Sequence, residues 1–179
     1  LLAKNENYWN KDNIHLDELE IKMISDQLAA LNAFKNGELD ITELSGEQLI
    51  EYRDDKRLYS YNKGSIKFLK FNVKNKLLAN QKIREAVSMA IDRDEMTENV
   101  SKGSFMPAYG FVPEGYGGSA GGDFRKENGD IFEKYNPEKA KQLFQEGLKE
   151  VGETGTPTLT LMIYEEKKKK KLAEYIQEK

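Results

Sequence analysis

Residues 65–96 form the stretch that most constrains the fold of this chain. Its first part, residues 65–72, is rich in aromatic and branched apolar side chains and is too short for a helix, so it predicts a β-strand. Asn80 is well suited to cap the N-terminus of a following helix. The apolar residues after it recur at helical spacing and form one stripe: Ile83, Ala86, Val87, Ala90 and Ile91. We therefore expect a strand, a short loop and a helix that buries Ile83, Val87 and Ile91 against a sheet.

Strand and helix patterns alternate along the rest of the chain. Short runs with the pattern of half-buried or buried strands lie at residues 19–25, 39–43, 58–62 and 158–164. Helices are predicted at residues 26–37, 46–53, 93–101, 136–151 and 167–179. A strand, a helix of about three turns and a second strand suggest a parallel crossover, which places the chain in the α/β class.

The glycine-rich residues 103–122 are expected to form a long surface loop. A phosphate-binding loop is the alternative, but no Gly-Lys-Ser/Thr follows these glycines and no helix pattern begins directly after them.

Composition excludes several classes of function. The chain has no cysteine, so disulfides and thiolate metal sites are impossible, and its net charge of −3 argues against nucleic acid as a partner. His15 is the single histidine, and neither a metal site nor a histidine-based catalytic triad can be assembled around it. We predict no cofactor and no enzymatic activity.

Charged clusters have two interpretations. The acidic pairs at residues 54–55 and 165–166 are predicted to lie on solvated faces, since nothing places two carboxylates in an apolar pocket. The lysine run at residues 167–171 could attract a membrane surface, or it could simply be a solvated helical turn. The solvated turn is the favoured interpretation.

Four sequence motifs resemble those of a known family, and they occur in the family's order. They are NENYW at residues 5–9, ALNAFKNGELDI at residues 30–41, FN followed by IREAVSMAIDRDEM at residues 71–96, and AYGFVPEGY at residues 108–116. The chain thereby resembles the bacterial extracytoplasmic oligopeptide-binding proteins of family 5, the substrate-binding subunits of peptide ABC importers.

The resemblance implies a fold and a division into lobes. The expected fold is α/β, a partial periplasmic-binding-protein type II-like fold with a mixed sheet, flanking helices and incomplete lobes. Residues 1–64 would end one lobe, residues 65–72 would cross between lobes, and residues 73–179 would begin the second lobe. Family members are longer, and the first residues here lack the basic and apolar regions of a secretion signal, so we expect an internal fragment.

The resemblance also implies a binding site. In the family an extended peptide lies between two lobes, and the crossing strand lines one wall of the cleft. The corresponding residues here are Ser45, Gly46, Lys67, Phe68, Leu69 and Asn72. Many relatives carry tyrosines along the crossing strand, whereas this chain has Lys67, Phe68 and Leu69 there.

Partners and location follow from the same resemblance. The expected partners are an oligopeptide ligand and the membrane permease of an ABC transporter, with membrane attachment only through an anchor absent from this chain. The expected location is the cell envelope, in the periplasm or on the outer face of the membrane. Other ligands stay open, because the same scaffold binds nickel complexes, haem, sugars and peptide pheromones. A fragment of an α/β hydrolase is the enzyme alternative, and the missing nucleophile–histidine pair argues against it.

Overall fold

The computed structural model of the chain describes residues 1–165 and 167–179. Glu166 lies outside this range, as do the side chains of Lys167 and Lys168, so the predicted solvated faces at these three residues lie outside the described part of the chain. The chain packs as two compact units, residues 1–44 and residues 45–179. The expected lobe boundaries at residues 64 and 72 stay a prediction.

The first unit contains a small antiparallel ladder and one helix. Strands β1 (Leu2–Ala3) and β2 (Glu18–Leu19) pair, with Leu2 opposite Leu19. A 3₁₀ turn at Lys11–Asn13 lies between them. Helix α1 (Gln27–Lys35) begins at Asp26, whose Oδ1 accepts a hydrogen bond from the Ala29 amide at 2.8 Å. It ends before Gly37, which adopts a left-handed φ of 76°.

The second unit contains the remaining helices. They are α2 (Glu47–Glu51), α3 (Lys76–Ala79), α4 (Gln81–Ala90), α5 (Arg93–Glu95), α6 (Phe124–Asn128), α7 (Pro137–Glu150) and α8 (Lys167–Gln177). A π-helical turn at Met96–Val100 extends α5. None of the helices in the described part of the chain has the length and apolar character needed to cross a bilayer.

Helices α4 and α7 form the centre of the second unit. Side chains of Asn80 and Asn136 cap their N-termini, as the sequence predicts for both positions. Pro137 occupies the first turn of α7, where its missing amide hydrogen is not needed. The buried core of the unit consists of Ile83, Ala86, Met89, Ile91, Tyr109, Ala140, Leu148 and Tyr175.

The buried face of α4 differs in part from the predicted stripe. Ile83 and Ile91 are buried as expected, but Val87 is only half-buried and Met89 is buried in its place. Burial follows the spacing of residues 83, 86 and 89, so the contact line turns away from Val87. The prediction for Val87 was therefore wrong, because periodicity identifies a broad face and the position of α7 decides its centre.

The predicted strands are the second correction. Residues 39–43, 58–62, 65–72 and 158–164 carry no β-ladder, and of residues 19–25 only Leu19 belongs to a strand. The one ladder among the described residues is β1 with β2, besides an isolated bridge between Gly117 and Asp123. A strand is defined by its hydrogen bonds to a neighbouring strand. A run with strand-like composition therefore stays irregular where no neighbouring strand pairs with it among the described residues.

Candidate functional site

Residues 62–68 lie against the loop that follows the π-helical turn. The Asn62 amide donates a hydrogen bond to the Glu114 carbonyl at 3.1 Å, and the Tyr116 hydroxyl donates to the Gly64 carbonyl at 2.7 Å. Farther along, the Lys67 ammonium lies 3.8 Å from the centre of the Phe105 ring. The segment expected to line the binding cleft is thus held in place by one long loop.

That loop is the glycine-rich stretch, and its own side chains order it. Asp123 caps α6 and accepts a 2.7 Å hydrogen bond from the Gly115 amide, which is the main reason why the pKa of this carboxyl lies below its usual range. The Glu127 carboxylate accepts from both the amide and the hydroxyl of Ser119. The sequence correctly predicted a loop here, but it did not predict helix α6.

The turn before α2 meets the same loop. Gly46 has a φ of 62° and a ψ of −134°, a backbone conformation that residues with a Cβ rarely adopt. Its amide donates a 3.2 Å hydrogen bond to the Ser104 hydroxyl. Ser45 beside it is half-buried. Ser104 precedes Phe105, so the loop brings Gly46 and Lys67 to adjacent loop residues although they are distant in sequence.

Phe68 belongs to a cluster of three aromatic rings. The rings of Phe68 and Phe111 lie 5.5 Å apart at an angle of 75°, and the rings of Phe111 and Phe132 lie 5.5 Å apart at 77°. Both are edge-to-face arrangements, which aromatic pairs favour. The three side chains nevertheless remain 61%, 54% and 37% exposed. We call these three residues the phenylalanine cluster.

Tyr109 fixes the backbone that carries two of these rings. Its hydroxyl donates to Asp94 Oδ2 at 2.6 Å, and its carbonyl accepts from the amides of Ile131 and Phe132 at 2.8 and 2.9 Å. Burial raises the pKa of the Tyr109 hydroxyl to about 12, and the hydrogen bond to Asp94 acts in the same direction. The Arg93 guanidinium lies 5.2 Å from the centre of the tyrosine ring, and burial lowers its pKa.

The remaining expected ligand residues lie at the end of the segment. Leu69 is 36% exposed. The Asn72 side-chain oxygen accepts a 3.1 Å hydrogen bond from the Lys74 amide, and its carbonyl accepts from the Asn75 amide at 3.0 Å. Asn72 therefore forms the turn that leads into α3, and its side-chain oxygen is engaged locally.

A surface hollow adjoins the Lys67–Phe105 contact. It has a volume of about 490 Å³ and is lined by Ile50, Arg53, Thr97, Glu98, Asn99, Lys102, Gly103 and Phe105. Lys102 follows the π-helical turn with a φ of 53°, and its Nζ lies 3.8 Å from Glu47 Oε1. Cations, a carboxylate and apolar groups all line the hollow, so it shows no single chemical preference.

Sequence reasoning missed the loop residues that complete this surface. The sequence predicts a surface loop that contains Ser104, Phe105 and Phe111, and it indicates no role for Phe132. The available signal was the presence of phenylalanines within a stretch rich in glycine, where exposed aromatic rings have no packing reason of their own. His15 is exposed, and no cluster of metal-binding side chains occurs among the described residues.

The family model and the sequence relatives indicate the same family of proteins. The model of the bacterial extracellular solute-binding proteins, family 5 Middle, matches residues 1–179. The chain is 35% identical over 178 residues to the dipeptide-binding protein DppE of Bacillus subtilis, and 30% identical over 185 residues to the oligopeptide-binding protein OppA of the same species. Each match covers 99% of this chain and 33% of the relative, so the chain spans about a third of the length of these relatives.

Solved structures agree with the sequence relatives. Listeria monocytogenes OppA bound to peptide superposes with a TM-score of 0.74 at 29% identity, over 98% of this chain and 35% of that chain. The pheromone receptor PrgZ superposes with a TM-score of 0.68 at 26% identity, over 83% of this chain and 29% of that chain. The path of the chain is therefore that of the type II periplasmic-binding fold, even where the described residues form no β-ladder.

Proposed function

The chain belongs to family 5 of the bacterial extracellular solute-binding proteins, and from this premise we propose that it is part of a protein that captures oligopeptides and delivers them to an ABC importer. One observation carries the proposal: the chain superposes over 98% of its length on an OppA structure that holds a peptide. The 35% identity to a dipeptide-binding protein supports the same class of ligand. The relatives are solute-binding proteins, and we propose that this chain likewise has no catalytic role.

The backbone of the crossing segment supports this mode of binding. The main-chain groups of Phe68 and Leu69 make no hydrogen bond to any other residue that the structure describes. In an extended segment the main-chain groups of successive residues point to opposite edges, so those on one edge can pair with an extended peptide laid beside it as an added strand. Such pairing gives affinity with little dependence on ligand sequence. We propose that residues 65–72 line one wall of the cleft between the two lobes of the longer protein, with residues 1–64 and 73–179 on either side.

The side chains proposed to contact the ligand are those that the loop gathers. Ser45 and Gly46 would present the turn before α2, and Lys67, Phe68 and Leu69 would present the crossing segment. Asn72 is less available to a ligand, because its side-chain oxygen already accepts a hydrogen bond from the Lys74 amide. A shared loop contact at residues 104–105 supports the grouping of Gly46 with Lys67.

Titration calorimetry on the natural protein that contains this chain tests the proposal. Saturable binding of short peptides, with free amino acids giving none, is the expected result. Nickel complexes, haem and sugars are the comparison ligands. Saturable binding of one of these without any binding of peptides would contradict the proposal.

A peptide pheromone is a second candidate ligand, because the chain superposes on the pheromone receptor PrgZ over 83% of its length. A pheromone differs from a nutrient peptide only in that one sequence is preferred. Competition between a peptide eluted from the purified protein and its scrambled version separates the two cases. Equal affinity for both sequences would exclude the pheromone role.

We further propose that the protein works in the cell envelope, either in the periplasm or lipid-anchored on the outer face of the membrane, and docks on the permease of a peptide importer. The family consists of extracellular proteins, which supports the location. Fractionation of cells with an antibody against this chain checks it. Recovery of the protein in the cytoplasmic fraction would contradict the proposed location.

A further inference from the structure

The phenylalanine cluster is an exposed aromatic surface on a rigid support. Tyr109 and Gly110 precede Phe111 and are both buried, and the carbonyl of Val112 after it accepts a 3.1 Å hydrogen bond from Arg125 Nε. Phe111 is thus exposed while its neighbours on both sides are held. An exposed ring on a fixed backbone loses little conformational freedom when a ligand covers it.

The second observation is the position of the cluster. Phe68 is one of the two residues of the crossing segment whose main-chain groups make no hydrogen bond to another described residue, and its ring contacts that of Phe111. A peptide paired with that segment would place alternate side chains toward the surface beside it. The rings of the cluster remain between 37% and 61% exposed, so apolar area is still available for contact.

The chemistry of the surface selects its occupant. The cluster consists of three rings without a polar atom, and edge-to-face contacts already align two pairs of them. A further aromatic ring can extend this array in the same geometry. A charged or small polar side chain would lose hydration there and gain no hydrogen bond from the rings.

From this geometry we infer that the phenylalanine cluster is a specificity subsite, which prefers an aromatic side chain of the bound peptide. This inference rests on the proposed function, since it names the kind of peptide side chain that the same site selects. Residues Phe68 and Phe111 determine the preference, and Phe132 supports the ring of Phe111.

The test compares two tripeptides that differ only in the central residue, Ala-Phe-Ala and Ala-Ser-Ala. Their dissociation constants are measured by calorimetry for the natural protein that contains this chain and for its Phe111→Ala variant. Wild type is expected to bind Ala-Phe-Ala more tightly. The variant is expected to lose about fivefold or more in affinity for Ala-Phe-Ala and less than about twofold for Ala-Ser-Ala. Phe124→Ala, outside the cluster, is the matched control and should change neither constant.

The outcomes separate the inference from the proposed function. If Phe111→Ala weakens both peptides equally or weakens neither, the subsite is wrong while peptide binding stands. If wild type binds neither peptide, the proposed function fails and the subsite fails with it. Phe111→Leu and Phe68→Ala provide second variants in case Phe111→Ala does not fold, and a melting curve for each variant confirms the folded state. Phe111→Leu and Phe68→Ala should each reduce the preference for Ala-Phe-Ala over Ala-Ser-Ala. An unchanged preference in both variants would overturn the inference.

Discussion

Gly147 lies where helix α7 packs tightly against the first turn of α4. A Cβ at this position would lie 2.6 Å from Ile83 Cγ1 and 3.0 Å from Asn80 Oδ1. Ile83 is fully buried and Asn80 caps α4, so neither can move away freely. The glycine weakens α7 as an isolated helix by about 1 kcal/mol relative to alanine, and here the close contact requires it.

We therefore expect Gly147→Ala to lower the free energy of unfolding. Overpacking of a core contact costs about 1–3 kcal/mol, which outweighs the gain in helix propensity. Subtracting the propensity gain of about 1 kcal/mol leaves an expected net loss of up to about 2 kcal/mol, measured by a urea titration followed by circular dichroism. Gln145→Ala, at an exposed position of the same helix, should leave stability unchanged or slightly raised. If Gly147→Ala and Gln145→Ala changed the free energy of unfolding by the same amount, the close contact at Gly147 would be contradicted.

Tyr109 gives a second prediction at the scale of the residue. Removing its hydroxyl in Tyr109→Phe leaves the Asp94 carboxylate without this donor, so the free energy of unfolding should fall by about 1–3 kcal/mol. Tyr59→Phe is the control, because Tyr59 is 82% exposed and should change stability by less than about 0.5 kcal/mol.

The pH dependence of the same variant can be derived from the pKa shift. The pKa of Tyr109 is about 12 in the folded state and about 10 in the unfolded state, so folding favours the protonated phenol. This stabilisation is present below about pH 10 and is lost as the pH rises toward about 12. The stability difference between wild type and Tyr109→Phe should therefore narrow above pH 10. A constant difference would show that Tyr109 is not buried as described.

The sequence predicted the structural role of a residue where that role depends on its neighbours in the chain. Asp26, Asn80 and Asn136 were expected to begin helices, and each accepts a hydrogen bond from an amide in the first turn. Gly147 and Tyr109 could not be identified in this way. Their roles depend on Ile83 and Asp94, which are far away in the sequence.

At the scale of elements, helices were predictable and strands were not. A helix satisfies its hydrogen bonds within itself, so α1, α4, α7 and α8 could be recognised from spacing and caps alone. A strand needs a partner, and residues 65–72 have strand composition but no paired neighbour among the described residues. The chain spans about a third of the length of its relatives. We propose that one edge of residues 65–72 pairs with the bound peptide, and that the opposite edge and the other predicted strands pair with the remainder of the longer protein.

The pair of α4 and α7 also depends on an ion-pair group that can be tested. Lys82 Nζ lies 2.8 Å from both Glu146 Oε2 and Glu150 Oε1. Its hydrogen bonds lower the pKa of both carboxyls, so the stabilisation is present above the unfolded pKa of about 4.3 and is lost as the pH falls. Lys82→Met should therefore destabilise the chain at pH 7, and the difference from wild type should shrink between about pH 5 and 3.

Urea titrations across this pH range measure the effect. Salt should reduce it, because Lys82 and its partners are partly exposed. Lys141→Met on the exposed face of α7 is the matched control and should show no such dependence. If Lys82→Met lowered the free energy of unfolding by the same amount at every pH, the cause would be lost packing of the lysine stem and not the ion pairs.

At the scale of the whole molecule, the binding site is expected to be shared. A closed cleft divides its contacts between two walls, and we propose that this chain supplies mainly one of them. The isolated chain of 179 residues should therefore bind short peptides far more weakly than the longer natural protein. Calorimetry on both with the same peptide mixture is the measurement. Equal affinity would show that residues 1–179 form a complete site.

Sequence resemblance predicted the family and the path of the chain at this scale, and the superposition on peptide-bound OppA confirms both. The binding residues themselves stay a prediction. The loop contacts that join Gly46, Lys67 and Phe68 to residues 104–111 could not be anticipated, because no periodic pattern links such distant positions.

Hydrogen–deuterium exchange on the natural protein, with and without a saturating peptide, tests the central claim most directly. The claim is that residues 65–72 and the turn at residues 45–46 form a wall of the peptide cleft. Binding should slow exchange of the amides on the ligand-facing edge of residues 65–72, which include that of either Phe68 or Leu69, and of the amides in the turn. Exchange on the exposed face of α7 should stay unchanged. Peptide binding with no added protection at residues 65–72 would contradict the claim.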